Sequence, residues 1–573
     1  MKPLSRRDFL KNASAAIGVA AAGATALGLA GCDTGDSGGT GGTGNQPTGP
    51  AGLPGTWEAE TDIIIVGAGA AGLAAGITVA DEGLGQAIIL EAAPEGFEGG
   101  NSRTSAQIMF IPDDVNGAVT YQTNLNGDYV VEKELLEAWA TELVQNVEWM
   151  NSFDADMDSI PLFAPEYPDV AGSETAKTYC IKGGMGGLGN AYAWQFLRDT
   201  AKDLNVDIRF EARVTSLIFD SASKEVFGVT TADGKNYKAN KGVILACGGF
   251  ENNPDMMRNY YTIGFPGVGF VGSPFNRGDG ITMAQQVGAE LWHMNNFAGP
   301  YFGTRTVDEA GLPTDVAKSN MILYNPSFRD KDFIFLGVDG RRYMNEDTFG
   351  QARHGKVMRA GTYVTMPTPT PGWCIIGPKT FAAGDIYGAS TTSWTSVIDI
   401  NLAKTNQLAV DNGIFTKCDS VADIARVTGL TEAALQATLN KWNSCCDAGY
   451  DPEFHRGEDF FDTVGTHGAS TTEEGKPAIP AYPIERLDGP YYVFSLIGGI
   501  LNSQGGPKRN IKGQIIDLNG DPIPRLYGSG ELGCVYAYMY NGGGNLSEAI
   551  SSGRFAARNV GALSGWDLPV PTS

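Results

Sequence analysis

Apart from one stretch near its N-terminus, the chain has no long hydrophobic run, so the rest of its 573 residues offers no candidate membrane span. Cations are scarce as well: 41 Lys and Arg against 65 Asp and Glu leave a net charge of −24. That balance excludes a nucleic-acid-binding body, which polyphosphate would repel, and disfavours a body lying on anionic lipid. Histidine occurs only four times. The cysteines lack pattern. Beyond Cys32 they are Cys180, Cys247, Cys374, Cys418, Cys445, Cys446 and Cys534, an odd set without regular spacing, which does not make a disulfide framework. No CxxCH and no iron–sulfur spacing occur, so neither centre is expected, and no metal site is assigned. These thiols read as structural.

What is present is organised around Asp62-Ile-Ile-Ile-Val-Gly-Ala-Gly-Ala-Ala-Gly-Leu-Ala-Ala-Gly76. A buried parallel strand runs here into Gly67, Gly69, Ala71 and Gly72, then into a small-residue helix. Gly67 permits the tight strand-to-helix turn, Gly69 lets backbone approach a pyrophosphate, and Gly72 lets the helix pack close on the sheet. The helix N-terminus supplies N–H groups and partial positive charge to phosphates. A second strand, Ala87-Ile-Ile-Leu, ends on Glu91, nineteen residues after Gly72, where an acid binds a ribose hydroxyl. The glycines alone are a weak signal. Strand, glycines, helix, second strand and terminal acid together predict a dinucleotide site.

Ahead of it, Ser5-Arg-Arg-Asp-Phe-Leu-Lys11 carries a twin-arginine signature, followed by a mild apolar region over 13–29. That region is short and rich in Ala and Gly, which predicts a cleavable signal over 1–31 rather than a span. Leu29-Ala-Gly-Cys32 resembles a bacterial lipobox, and makes Cys32 the lipidated first residue of the mature chain. Residues 32–56 then form a Gly/Thr/Pro-rich tether.

Downstream, Glu98-Gly-Gly-Asn-Ser-Arg-Thr-Ser105 suits a phosphate or the flavin side of a cofactor. Helical patterns cover 132–153 and 192–204, and a second Gly-rich loop spans 183–189. Asp233-Gly234 marks a hairpin turn within 225–237. Gly242-Val-Ile-Leu-Ala-Cys-Gly-Gly-Phe250 is a buried strand closing on glycines, and Gly278-Asp-Gly280 opens an amphipathic helix whose Asp279 is assigned to the cofactor site. Composition shifts over 291–476 toward aromatics, Thr and Pro, with a helical block at 420–446 and Thr431 as an N-cap. The expected architecture is α/β: a Rossmann-like domain from 57–290 and 477–573, resumed at Tyr491, with an α+β capping domain of 291–476 inserted. Tyr540-Asn-Gly-Gly-Gly-Asn545 opens a last helix over 546–560, whose dipole suits an anionic pyrimidine.

Three motifs in order carry a resemblance: the fingerprint with Glu91, residues 243–250, and Gly530-Glu531 followed by Gly-Gly-Gly-Asn545. Over roughly residues 60–562 the chain resembles the flavoprotein family of fumarate reductase, urocanate reductase and 3-ketosteroid dehydrogenases, in particular a cardiac glycoside reductase-like branch. The resemblance implies non-covalent FAD under a mobile cap. It assigns Glu91 to a ribose, Asn101 and Ser102 to the Gly-Gly-Asn-Ser loop, Val214 to adenine, Glu531 to the ribityl chain, and Asn545 and Leu546 to the pyrimidine end.

The departures from fumarate reductase bear on the substrate. Its His-Pro-Thr is here Ala298-Gly-Pro-Tyr301, its His-His-Thr-Met-Gly-Gly is Leu501-Asn-Ser-Gln-Gly-Gly506, and its carboxylate-clamping Arg is Asn541. Without those imidazoles and the guanidinium, little charge remains to hold a dicarboxylate. Tyr540 instead matches the ketosteroid branch, where a phenol beside free backbone N–H groups stabilises an enolate oxygen; packing within the Tyr536, Tyr538, Tyr540 run is the plainer role. Gly340-Arg-Arg-Tyr-Met-Asn-Glu346 matches a family motif beyond which the reductases place a proton-donating Arg. The position at that spacing is Gly350, which leaves Arg353 and His354, the Arg acting by relay through Glu346 or Tyr540. His293, His455 and His467 read as solvated or structural.

The expected activity is reduction of a C=C bond conjugated to a carbonyl. Trp292, Phe297, Tyr301, Phe302, Phe349 and Trp394 either line an apolar pocket for a steroid-like or phenolic enone or pack in the core. Electrons would come from a separate, quinol-linked cytochrome or flavoprotein. A ketosteroid-type dehydrogenase working oxidatively, and a flavin lipoprotein that only carries electrons, are the alternatives.

Overall fold

Ile63, Ile64, Ile65 and Val66 are almost wholly buried, as a β-branched run must be when both faces of its strand are covered. They form the end of β1 (Ala59–Val66), which leads into α1 (Ala70–Asp81) and β2 (Ala87–Leu90). Next come α2 (Val115–Asn126), α3 (Lys133–Leu143), α4 (Tyr192–Asp203), β3 (Asp207–Arg209), β4 (Val214–Asp220), β5 (Glu225–Thr231), β6 (Asn236–Leu245) and α5 (Asp279–Gln286). A second group holds β7 (Tyr301–Arg305), β8 (Phe333–Leu336), β9 (Gly372–Ile376), α6 (Val421–Thr428), α7 (Glu432–Ala448) and β10 (Tyr491–Ile500). The chain ends with β11 (Gln514–Ile516), β12 (Pro522–Gly528) and α8 (Gly544–Gly561). This computed structural model describes residues 53–161, 164–168, 170–183, 191–261, 269–270, 272–305, 321–323, 332–347, 352–359, 362–387, 402–458 and 483–566. They belong to one unit, Gly49–Pro569.

The first sheet has the order β11-β12-β6-β1-β2-β3. From β12 to β3 the pairs are parallel, with Ile63–Val66 in register against Ala87–Leu90 on one side and Gly242–Leu245 on the other. β5 and β6 form the hairpin expected around Asp233-Gly234. Small residues let helices sit close on this sheet. A Cβ on Gly72 would lie 1.9 Å from the Gly67 carbonyl oxygen, and one on Gly553 of α8 would lie 2.3 Å from that of Ala71. The sheet, α1 and α8 therefore interlock, with Leu73, Ile77, Ile550 and Val560 wholly buried between them. Each such side chain contributes about 1.5–3 kcal/mol by leaving water.

The second sheet centres on β10, with β9 and β7 antiparallel to it along successive stretches and β8 beyond β9. One face carries Phe302, Phe335 and Phe494, and the other packs Leu435, Leu439 and Trp442 of α7. Ser420 and Asp423 make a full capping box on α6, and Thr431 caps α7 as expected. The sequence reading returns the chain to the first sheet at Tyr491. The strand there is instead the middle of the second sheet, and the first sheet resumes at Gln514. Aromatic and β-branched residues suit either sheet, so pattern alone does not separate them.

Two segments join the sheets as an antiparallel ribbon. Ala289 pairs with Asp517, Leu291–Trp292 with Gly506–Pro507, Phe297–Ala298 with Asn502–Ser503, and Tyr301 with Gly499. Both stretches that depart from the fumarate reductase pattern thus lie side by side.

Candidate functional site

At the carboxyl end of β1 the chain turns on Gly67, whose φ of +107° is a left-handed conformation that glycine permits. Gly69 is the N-cap of α1 and has no side chain to block its approach. Ala71 and Gly72 occupy the buried first turn, and Ser102 Oγ accepts the Ala70 N–H at 3.0 Å, which brings the Gly99–Ser105 loop over the helix start. Glu91 stands at the end of β2. Its carboxylate accepts the N–H groups of Ala68 at 2.6 Å and Ala93 at 2.8 Å, while burial pushes its pKa up against those bonds. Val214 opens β4, buried nearby, and the adjacent Arg213 is paired with Asp279 at the first turn of α5. Burial raises the Asp279 pKa more than Arg213 lowers it.

The other end of this line is a buried polar cluster. Asn101 Nδ2 donates to Glu251 Oε1 at 2.6 Å and Glu531 Oε2 at 3.1 Å, and Asn101 Oδ1 accepts the Ser273 N–H. Ser503 also donates to Glu251. Burial, then repulsion from Glu251, drives the Glu531 pKa well up. Asn545 and Leu546 lie in the first turn of α8, and Gln504 Nε2 donates to Asn545 Oδ1 at 3.3 Å.

Along this line, Arg213 Nη2, Asn502 Nδ2 and Ser529 Oγ are buried without a partner among the described residues. Buried polar atoms of that kind are ordinarily satisfied by a ligand or water. A glycine turn at a helix start, an acid on the next strand and a string of donors and carboxylates ending at a second helix fit the pyrophosphate, riboses and ribityl chain of FAD. Sequence reasoning missed Glu251, though it directly follows the Gly-Gly-Phe250 motif it had identified.

Beyond Asn545 lies the candidate reaction centre. Tyr540 is buried, with its ring 5.1 Å from Tyr536 and 4.1 Å from His354, centroid to centroid. Burial, with Tyr301, Glu166, Glu531 and Tyr536 around it, raises the Tyr540 pKa well above the phenol range. His354 stands at the turn between the short strands Ala352–Arg353 and Lys356–Arg359, with φ +48°. That turn is pressed on the ribbon, since Gly299 N–H donates to the His354 carbonyl at 3.0 Å. Two of the three catalytic candidates therefore meet. Arg353 pairs through its backbone with Lys356, and its side chain lies outside the described residues.

Two expectations are corrected. The backbone N–H groups after Tyr540 are not all free: Gly542 donates to Glu166 Oε2 at 2.6 Å and Gly544 to the Asn541 carbonyl. Glu346, named as a relay partner, is committed elsewhere. Its carboxylate is fully buried and bonded by Arg342 at 2.6 and 2.7 Å and by Arg456 at 3.4 Å, with Asp451 closing the knot. Two arginines saturate it because a buried carboxylate needs that compensation.

The aromatic candidates scatter. Phe302 packs in the second core against Phe335, and Trp292 lines a small cavity of about 40 Å³ beside Trp139 and Glu548. Phe297 and the half-buried Tyr301 remain on the ribbon near the centre, while Phe349 and Trp394 lie outside the described residues. His293 Nε2 donates to the Cys534 carbonyl at 2.7 Å, and burial lowers its pKa to about 4, a structural role; His455 is on the surface beside Glu458, and His467 lies outside the described residues. The seven described cysteines are all free, and no cluster of metal ligands occurs among the described residues. Glu166 and Lys356 were also missed. Neither sits in a periodic pattern or motif, so no signal marked them.

Comparison with known proteins bears on this arrangement. The chain is 27% identical to digoxin reductase of Eggerthella lenta over 98% of both chains, and 26% identical to urocanate reductase of the same organism over 88% of this chain and 75% of that one. Its fold matches that of 3-ketosteroid Δ1-dehydrogenase from Sterolibacterium denitrificans with a TM-score of 0.66 and 21% identity, covering 88% of this chain and 99% of the other. An open conformation of a flavocytochrome c3 fumarate reductase gives a TM-score of 0.60 at 22% identity, covering 88% and 78%. The sequence model of the FAD binding domain family matches residues 62–546, from the start of the β1 isoleucines to the first turn of α8, and this chain belongs to that family of FAD-dependent oxidoreductases.

Proposed function

We propose that this protein reduces a C=C bond conjugated to a carbonyl in a steroid-like or phenolic enone, as the exported, lipid-anchored terminal reductase of an anaerobic respiratory chain. Its electrons come from a separate quinol-linked cytochrome or flavoprotein. The names of its relatives, reductases of digoxin, urocanate and fumarate and dehydrogenases of 3-oxosteroids, support the reaction class.

One observation carries the choice of an uncharged substrate. Asn541, where the resemblance places a carboxylate-clamping arginine, is buried and committed to the protein: its Oδ1 accepts from Tyr121 at 3.0 Å and from the Glu166 N–H at 2.9 Å. It offers no cation to a diacid. When bound, FAD would supply the hydride chemistry of the reduction. Gly67, Gly69, Ala71, Gly72, Glu91, Asn101, Ser102, Val214, Asp279, Glu531, Asn545 and Leu546 hold the cofactor. The Tyr540 hydroxyl, kept protonated by its raised pKa, donates to the carbonyl oxygen as negative charge develops there. His354 or Arg353 delivers the α-proton, a contribution of roughly 10²–10⁴-fold.

The test is anaerobic oxidation of reduced methyl viologen with enones, cinnamates, urocanate and fumarate. An enone is expected to be reduced fastest. Fumarate fastest would overturn the substrate class, oxidation of a saturated ketosteroid in preference would assign the dehydrogenase direction, and silence throughout would favour an electron carrier. Tyr540→Phe is expected to lower turnover on that enone about 100-fold with FAD retained.

A further inference from the structure

Glu166 lies in a loop, far in sequence from every residue assigned above, yet it grips the reaction centre from two sides. Its Oε2 accepts the Gly542 N–H at 2.6 Å, and its own N–H donates to Asn541 Oδ1 at 2.9 Å, so it holds the two residues that follow Tyr540. Its other carboxylate oxygen is 3.3 Å from His354 Nδ1. Both side chains are nearly buried, at 10% and 12% exposure, where a charge-assisted bond is strong and an uncompensated carboxylate is costly. The imidazole itself leans on the Tyr540 ring at 4.1 Å, and its backbone is fixed on the ribbon by Gly299. One carboxylate thus connects the phenol that would hold the carbonyl with the imidazole that would supply the proton.

We infer that Glu166 is the positioning residue of this site, and that His354 rather than Arg353 is the proton donor. The inference rests on the enone reductase reading. Glu166 accepts the Nδ1–H of His354, which leaves Nε2 to carry the proton that is transferred. In the step, the Nε2–H bond of the imidazolium breaks and a C–H bond forms at the α-carbon of the enolate. The neutral imidazole keeps its Nδ1–H on Glu166 and regains a proton from solvent. No further oxidant or reductant enters, because the electron pair for the C–H bond is the enolate's own. Tyr167 competes for this arrangement: its hydroxyl is 3.4 Å from His354 Nδ1 and, were it the donor, would fix the opposite tautomer. An anionic acceptor outweighs a neutral hydroxyl donor at similar distance. The other titratable groups facing this pair are Tyr540 and, around it, Tyr301, Glu531 and Tyr536.

The first measurement needs no substrate. In the FAD-loaded protein labelled with ¹⁵N-histidine, with His354 assigned by its loss in His354→Asn, the neutral ring is expected as the Nδ1–H tautomer. An Nε2–H tautomer would overturn the inference even if the enone reductase reading stands. The second uses the best enone of the viologen assay. Glu166→Gln is expected to lower kcat about 10–100-fold with KM within about twofold, full FAD content and an increased solvent deuterium isotope effect on kcat. Glu166→Gln combined with His354→Ala is expected to be no slower than His354→Ala alone, because the two act as one unit. Multiplied losses, or an unchanged kcat in Glu166→Gln, would refute it. Viologen silence in the wild type with the expected tautomer present would sink the reductase reading alone.

Discussion

Lys356 sets the charge problem of the centre. Its ammonium is buried between the faces of Phe297 and Tyr538, 5.6 and 5.4 Å away, and donates only long bonds to the Phe297 carbonyl and Asn296 Oδ1, at 3.2 and 3.4 Å. Burial alone lowers its pKa from 10.5 to about 7. The folded state therefore binds fewer protons than the unfolded one between those values, and stability rises with pH across that window. Below about 7 both states are protonated and the burial cost is constant. Between pH 7 and pH 9 the wild type is expected to gain about 2 kcal/mol over Lys356→Met in urea unfolding. Equal slopes for the two proteins would show that the amine has found a partner or solvent.

Helix α8 and the connecting ribbon are the elements that assemble the site. The N-terminal turn of α8 presents Asn545 and Leu546, with Tyr540 in the segment leading into it, and its body is seated on α1 through Gly553. An alanine Cβ there would meet backbone atoms of Ala71 and Ala75 at 2.3–3.2 Å, none of which can rotate aside. Gly553→Ala is expected to destabilise the protein by about 1–3 kcal/mol and to weaken FAD retention, because it displaces the helix starts at both ends of the dinucleotide line. Gly55→Ala, with nothing within 4 Å of its added carbon, is the control and is expected to be silent. The ribbon works differently. Its paired strands carry Phe297 to Tyr301 and Leu501 to Gly506 between the sheets, so substitutions in one stretch are felt opposite, in the other.

The whole sequence joins an acidic composition to one apolar N-terminal stretch, which the proposed reading takes as an export leader. Among the described residues no helix is long and apolar enough to cross a membrane. The whole chain's net charge of −24 disfavours contact with anionic lipid, so in the proposed reading attachment would rest on acylation at Cys32. If the proposed anchor is right, Cys32→Ser is expected to move the protein from the membrane fraction to the soluble one and to abolish fatty-acid labelling. A Cys32→Ser protein that stays with the membrane would remove the anchor from the proposal. Cys32, Arg6 and Arg7 lie outside the described residues.

The sequence by itself determined the dinucleotide half of the protein. An isoleucine run, three spaced glycines and Glu91 are local features, and their geometry is set by backbone sterics within thirty residues of each other. The helix cap at Thr431 and the hairpin at Asp233-Gly234 were legible for the same reason. Tertiary structure alone decided where β10 belongs, that Glu346 is spent on two arginines, and that Glu166 reaches across 376 residues to the Gly542 N–H. Those outcomes depend on which buried charges must be compensated, and by whom. A carboxylate finds its partner through space and desolvation, neither of which leaves a period in the chain.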